Sequence, residues 1–451
     1  MTTGGESSMR RDLGPLLACA LVVNGTIGTG IFKTPAEVAR LAGSISAALL
    51  VWVGGAVVAL AGALSLAELS ASMPRTGGLY EVLRRAYGDR MAFVYGWAKL
   101  TLLIPASVGS FAKLASESTT ALLRLPAEPV RDTLVTLGYL ALFATVNLTA
   151  VKSSAVQQAV VTAAKYLGVA FLAFIGLALV PHGEVPLPSP APAFAATPTV
   201  AGCAAALVAA MWAYDGWADL TSLSGEIRDP GRTLPRALVL GALAVAAMYL
   251  VTNLGYARAL GLEGLRRSTT GDHMAATNVA TLTLGAAGRQ LLAAIVLVCS
   301  VGGGMTSLLT SSRVFVPLAT DGLFFRALGA ISPRTFVPVR AVVTGSVLAG
   351  LFVTLRSFEQ LTEGFVVGYF PFYVLAMIAI LLLRRREPEL PRPYRVVLYP
   401  LPPLVFLAGA AVIFWGALSA LDRTAWIAFG VLLLGFPLSF VARAGHRRRP
   451  R

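Results

Sequence analysis

The chain has 451 residues, of which 56% are hydrophobic and only 13% charged, about half the share of a typical soluble domain. With a mean hydropathy of +0.73, lipid must be the solvent for most of it. The net charge of +15 does not mark a nucleic-acid binder. Apart from Lys99, Lys113 and Lys165 inside spans, Lys and Arg fall at or between the ends of apolar runs and in the tail Arg447, Arg448, Arg449 and Arg451, so no soluble domain carries a basic face. The 44 glycines and 26 prolines suit membrane helices, where neighbouring helices re-satisfy the freed backbone groups.

A spanning helix needs about 20 mostly apolar residues. In chain order the sequence predicts twelve: 13–32, 41–67, 91–123, 133–151, 154–181, 198–224, 237–257, 290–312, 337–356, 364–383, 396–421 and 424–442. The polar start 1–12 precedes the first span, and no removable signal peptide is expected. Most of the 37 Lys and Arg then lie on the side of the two termini, which the positive-inside rule makes cytoplasmic. The Pro-rich stretch 185–198 separates a first five-helix set, 13–182, from a second, 198–385. Two further helices, 397–443, and a basic tail, 444–451, complete the division.

Two spans carry breaks at matching places. The first contains Asn24-Gly25-Thr26-Ile27-Gly28-Thr29-Gly30-Ile31-Phe32, and the sixth contains Trp212-Ala213-Tyr214-Asp215-Gly216-Trp217. Glycines at such spacing serve close helix packing or an unwound segment, and Asp215 alone could be the partner of a buried cation. Occurring together at corresponding positions of two halves, the breaks point to a transporter binding site. An unwound helix frees N–H groups for an anion and carbonyls for a cation, and a zwitterionic amino acid needs both.

Lys165 lies mid-span in Ala159-Val160-Val161-Thr162-Ala163-Ala164-Lys165-Tyr166-Leu167, where an ammonium costs about 2.5–3.5 kcal/mol. Too far from either interface to snorkel, it must meet carbonyl oxygens, Asp215 or substrate, or be neutral for part of a cycle. A fixed ammonium beside the first break can replace a coupling sodium ion.

Taken together, the motifs resemble the amino acid–polyamine–organocation superfamily and, within it, the L-type amino acid transporters. The landmarks are Gly28-Thr29-Gly30-Ile31-Phe32, Ala67-Glu68-Leu69, Pro74-Arg75-Thr76-Gly77-Gly78-Leu79-Tyr80 and Pro105-Ala106-Ser107. They continue with Ala164-Lys165-Tyr166-Leu167, Ala213-Tyr214-Asp215-Gly216-Trp217 and Gly225-Glu226-Ile227-Arg228-Asp229-Pro230. Thr252-Asn253-Leu254 and Thr310-Ser311-Ser312-Arg313 complete the series.

The resemblance implies an all-α, LeuT-like fold of twelve transmembrane helices, a five-plus-five inverted repeat with discontinuous helices 1 and 6. It implies that the substrate carboxylate meets the N–H groups of Gly28, Thr29 and Gly30, and its ammonium the carbonyls of Ile27, Trp212 and Ala213. Trp212 is expected to gate the site, Tyr249 to lie near the carboxylate, and Lys165 to couple. Asp215 stands where many L-type members have glycine, and Gly302-Gly303-Gly304-Met305 replaces a more polar stretch. Ser107, Gly303 and Met305 are the candidates for the side-chain pocket. Packed as in the family, Lys165 neutralises Asp215, which favours neutral amino acids over the alternative of a cationic amino acid or polyamine antiporter.

Several other residues have structural expectations. Glu68 and Arg313 are expected to anchor loops or a cytoplasmic gate, Lys113 and Glu117 to pair four apart, and the 365–372 aromatics to pack in the core, with lining of the side-chain pocket as their lesser alternative. The histidines 182, 273 and 446 all lie outside the spans, so neither a His relay nor an embedded enzyme is expected. The three cysteines lie in apolar stretches, and no metal or cofactor motif exists. In animals, L-type transporters are disulfide-linked to a heavy subunit through the loop after helix 3. Here 124–131 has no cysteine, so no covalent heavy subunit is expected. The expected product is a sodium-independent permease of the plasma membrane; a nutrient sensor on a transporter fold is the distant alternative.

Overall fold

The computed structural model describes residues 11, 13–28, 30–126, 128–148, 151–179, 197–268, 274–419 and 423–447. Most of the Pro-rich stretch, and Thr29 of the first break, lie outside them. The described chain is helical, with one isolated bridge joining Leu13 to Ile227.

The first span is two helices, α1 (Pro15–Thr26) and α2 (Gly30–Ala42), bent by 45°. Pro15 starts α1, where its missing N–H costs nothing. Ser44 caps α3 (Ile45–Ser72) by accepting from the Ala47 N–H at 3.1 Å. Two helices that the sequence spans do not include a separate place for follow: α4 (Leu79–Tyr87), then α5 (Asp89–Ala98) at the start of the third span. A π-helical turn, Lys99–Leu103, leads into α6 (Ile104–Leu122), where Pro105 has no N–H to donate. α7 (Pro129–Leu148) and α8 (Val151–Ala178) complete the first set.

Thr199 caps α9 (Val200–Tyr214), which ends at Asp215 and gives way to a 3-10 segment, Trp217–Glu226. α10 (Pro230–Arg267) and α11 (Ala275–Arg313) outrun the predicted spans because they bend at Gly261 and Gly285, both at positive φ. The extra arms fold over the face opposite Arg11, where Arg266 donates to the Gly43 carbonyl at 3.0 Å. Short α12 (Phe315–Thr320) and α13 (Arg326–Gly329) precede α14 (Val339–Leu355). α15 (Phe358–Arg386) opens with a Ser357–Gln360 capping box, and α16 (Leu401–Ser419) and α17 (Arg423–Arg447) follow.

Among the described residues, seven helical stretches are long and apolar enough to cross a membrane, and the bent α1–α2 pair makes eight. The other four expected spans fall on α7 and on shorter apolar helices, Val339–Leu355, Leu401–Gly416 and Phe429–Phe440. Large apolar side chains such as Leu50, Leu167, Val347 and Leu433 face outward, as they do in lipid. The packing repeats between the two sets. α1 lies on α8 as α9 lies on α15, α1 on α10 as α9 on α3, and α8 on α11 as α15 on α6.

Three buried aromatics back the two breaks: Trp52 lies edge-on to Tyr214 and Tyr249, and Tyr214 donates to the Trp52 carbonyl at 3.1 Å. The face that carries Arg11 is tied by ion pairs. Arg313 meets Glu226 at 3.2 Å, both buried, while Arg84 pairs with Asp321 and Tyr80 donates to Asp321 at 2.8 Å. Glu68 accepts from Arg384 at 2.8 Å and from the Val396 N–H at 2.7 Å, so it anchors the segment after α15. Glu117 finds a partner that local spacing does not show, Lys33 of α2 at 3.0 Å.

Candidate functional site

A helix that ends inside a membrane leaves four carbonyls without partners, each costly to bury. The end of α1 solves this locally. The Ile27 N–H donates to the Val23 carbonyl at 2.8 Å, and the Gly28 N–H turns back onto the Thr26 carbonyl at 2.8 Å. Lys165 of α8, fully buried, donates from Nζ to the carbonyls of Asn24 at 3.0 Å and Ile27 at 2.9 Å. Tyr249 of α10 donates to the Thr26 carbonyl at 2.9 Å. Charged hydrogen bonds contribute about 1.5–3 kcal/mol each, enough for two of them to offset the insertion cost of the ammonium. The negative end of the α1 dipole adds to this.

Lys165 therefore does not neutralise Asp215. Its ammonium is spent on helix-end carbonyls, and Asp215 instead accepts from the Tyr373 hydroxyl at 2.8 Å. The expectation failed because the break of α1 supplies oxygens nearer to α8 than the break after α9 does.

The two breaks touch each other through glycine. Gly216 has φ +109°, a conformation that L side chains rarely adopt, and a Cβ there would overlap the Gly25 carbonyl. A Cβ on Gly25 would meet the Gly216 oxygen at 3.1 Å, and one on Gly30 would overlap Ala213. Any side chain at these positions pushes the two broken helices apart.

Between the breaks lies a cavity lined by Thr26, Gly28, Gly30, Trp212, Asp215 and Gly303, with Ser107 and Phe111 of α6 on its wall. The start of α2 faces it, as does the C-terminal end of α9. Trp212 stands edge-on to Phe365, 5.3 Å between ring centres, and both line the cavity. Ser107 and Ser307 share a hydrogen bond of 2.8 Å across the α6–α11 contact.

Of the expected site residues, Gly28, Gly30, Trp212, Asp215, Ser107 and Gly303 are on the cavity wall. Ile27, Tyr249 and Lys165 support the α1 break from behind, and Ala213 packs under Gly30. Met305 is not on the wall: positions 303 and 307 share one face of α11, and 305 points about 200° away from 303. Its carbonyl accepts from Asn147 at 3.1 Å.

Sequence spacing did not single out Lys99, Phe111 or Ser307 as wall residues, nor pair Lys99 with Asp219, and it favours core packing over the pocket for Phe365. Lys99 Nζ is 3.9 Å from Asp219 Oδ1 and 4.8 Å from the centre of the Tyr369 ring. The signal available was an internal lysine within two helical turns of Pro105.

Comparison with known proteins agrees with this geometry. A family profile described as amino acid permease matches residues 13–436. The serine/threonine exchanger SteT of Bacillus subtilis is 28% identical over 437 residues, 96% of this chain and 97% of that one. The mouse large neutral amino acids transporter small subunit 2 is 28% identical over 97% of this chain and 82% of its own. The human b(0,+)-type amino acid transporter 1 is 27% identical over 86% and 79%. The match covers both broken helices and nearly all of the described fold, and the chain belongs to the amino acid permease family.

Proposed function

We propose that this protein is a secondary transporter that carries amino acids across the plasma membrane by alternating access. The observation that carries the proposal is the pair of broken helices meeting at one cavity, with an internal lysine closing the end of α1. The first N–H groups of α2, beginning at Gly30, suit the substrate carboxylate. Because Lys165 occupies the Asn24 and Ile27 carbonyls, the substrate ammonium goes to the end of α9, at the carbonyls of Trp212 and Ala213. The repeated packing of the two sets supports a twelve-helix, LeuT-like inverted repeat, and the bias of Lys and Arg toward one side supports both termini being cytoplasmic.

Transport is sodium-independent in this proposal, since the Lys165 ammonium fills a cation position at the break. Uptake by purified protein in proteoliposomes should be unchanged when choline replaces sodium; a steep rise with a sodium gradient sinks the idea. The three free cysteines lie on α1, α9 and α11, which supports function without a disulfide-linked heavy subunit. The purified single chain should transport, and rescue of an inactive chain by a second subunit would count against this.

Neutral amino acids remain the favoured substrates, with Lys99 rather than Lys165 as the counter-charge near Asp215 and Asp219. Relatives named for serine, threonine and large neutral amino acids support this. One observation favours a cationic substrate instead: two carboxylates and one ammonium line the cavity. Competition by unlabelled amino acids separates the two, because arginine outcompeting alanine, with the preference lost in Asp215→Asn, would establish the cationic alternative.

A further inference from the structure

Lys99 is not used by the support of the breaks or by the backbone contacts proposed above. Its side chain is only 3% exposed, yet it lines the cavity. An ammonium carries three donors, and among the described residues Lys99 makes no hydrogen bond. Its nearest carboxylate oxygen, on Asp219, is at 3.9 Å, beyond hydrogen-bond reach, and the Tyr369 ring offers only its face. A buried charge left in this state is costly unless something supplies an acceptor. Beside it, the Asp219 side chain retains 17% exposure, and Asp215 has one oxygen on Tyr373. Donors and acceptors therefore lie side by side and face the same space.

We propose that Lys99 and Asp219, with Asp215 beside them, form a subsite for a substrate side chain that both accepts and donates hydrogen bonds. The chemical class is a hydroxyl or carboxamide: serine, threonine, asparagine or glutamine. The side-chain oxygen accepts from Lys99 and its O–H or N–H donates to a carboxylate. An arginine or lysine side chain would set a second cation beside an ammonium that still lacks an acceptor. An acidic side chain would set a third carboxylate beside two. An apolar side chain would leave Lys99 without an acceptor and exclude water from it. This inference rests on the cavity being an amino acid site.

Isosteric pairs test it. Full-length protein in proteoliposomes takes up labelled alanine in competition with threonine against valine, and glutamine against methionine. The polar member of each pair should compete at least about tenfold better, since a site built to hydrogen-bond rejects the analogue that cannot. In Lys99→Met and Asp219→Asn the threonine-to-valine ratio of kcat/KM should collapse toward one, whatever rate remains. Valine and methionine competing as well as threonine and glutamine would overturn the proposal, as would arginine competing best or a ratio unchanged in Lys99→Met. If Lys99→Met does not yield monodisperse protein, the unmodified chain's isosteric pairs decide alone. Absence of uptake of any amino acid would instead remove the transport proposal beneath it, so the two failures are distinguishable.

Discussion

Lys165→Ala is expected to reduce amino acid uptake at least about 100-fold while the protein still inserts and purifies. The change removes both donors from the buried carbonyls of Asn24 and Ile27. Two charge-assisted hydrogen bonds at about 1.5–3 kcal/mol each hold the end of α1, and every 1.4 kcal/mol is tenfold in an equilibrium. Tyr249 continues to hold the Thr26 carbonyl, so the helix should survive but its end should not keep one geometry. Lys165→Met, which keeps the length and loses the charge, should behave like the alanine variant. Uptake above a tenth of the unmodified rate in either would show that the break is held by other groups.

Gly216→Val is expected to be the most damaging change to the fold. At φ +109° a β-branched side chain costs about 1–3 kcal/mol in backbone strain, before its overlap with the Gly25 carbonyl is counted. The two breaks must separate to admit it, which opens the cavity wall at both ends. Gly54→Ala is the matched control: Gly54 lies inside α3 with open space around it, and alanine there should be neutral or slightly stabilising. Thermal unfolding in detergent, followed by size-exclusion, should show loss of monodisperse Gly216→Val and an unchanged or higher midpoint for Gly54→Ala. Equal behaviour of the two variants would contradict the glycine contact between the breaks.

Much of this architecture is legible in the residues, for definite reasons. Gly28 and Gly30 in one span and Asp215-Gly216 in another mark, as a matched pair, where two helices are open to breaking, and the chain does break there. Lys165 is legible because a mid-span ammonium needs oxygen, though not which oxygen. Contacts across long separations are not legible. Lys33 meets Glu117, and Lys99 approaches Asp219, only because helices far apart in sequence pack side by side. Met305 is a different case, since the helical phase of 303 and 307 already turns it from their face. The arms beyond Gly261 and Gly285 escape a hydropathy reading because they are partly polar and continue helices past a bend.

The most direct test measures labelled amino acid uptake into proteoliposomes containing the purified chain alone, preloaded with unlabelled amino acid or empty, beside Lys165→Ala. Protein-dependent, saturable uptake that is competed by unlabelled amino acid and lost in Lys165→Ala is the predicted result. Monodisperse, correctly inserted protein that moves no amino acid faster than protein-free liposomes, loaded or empty, would contradict it.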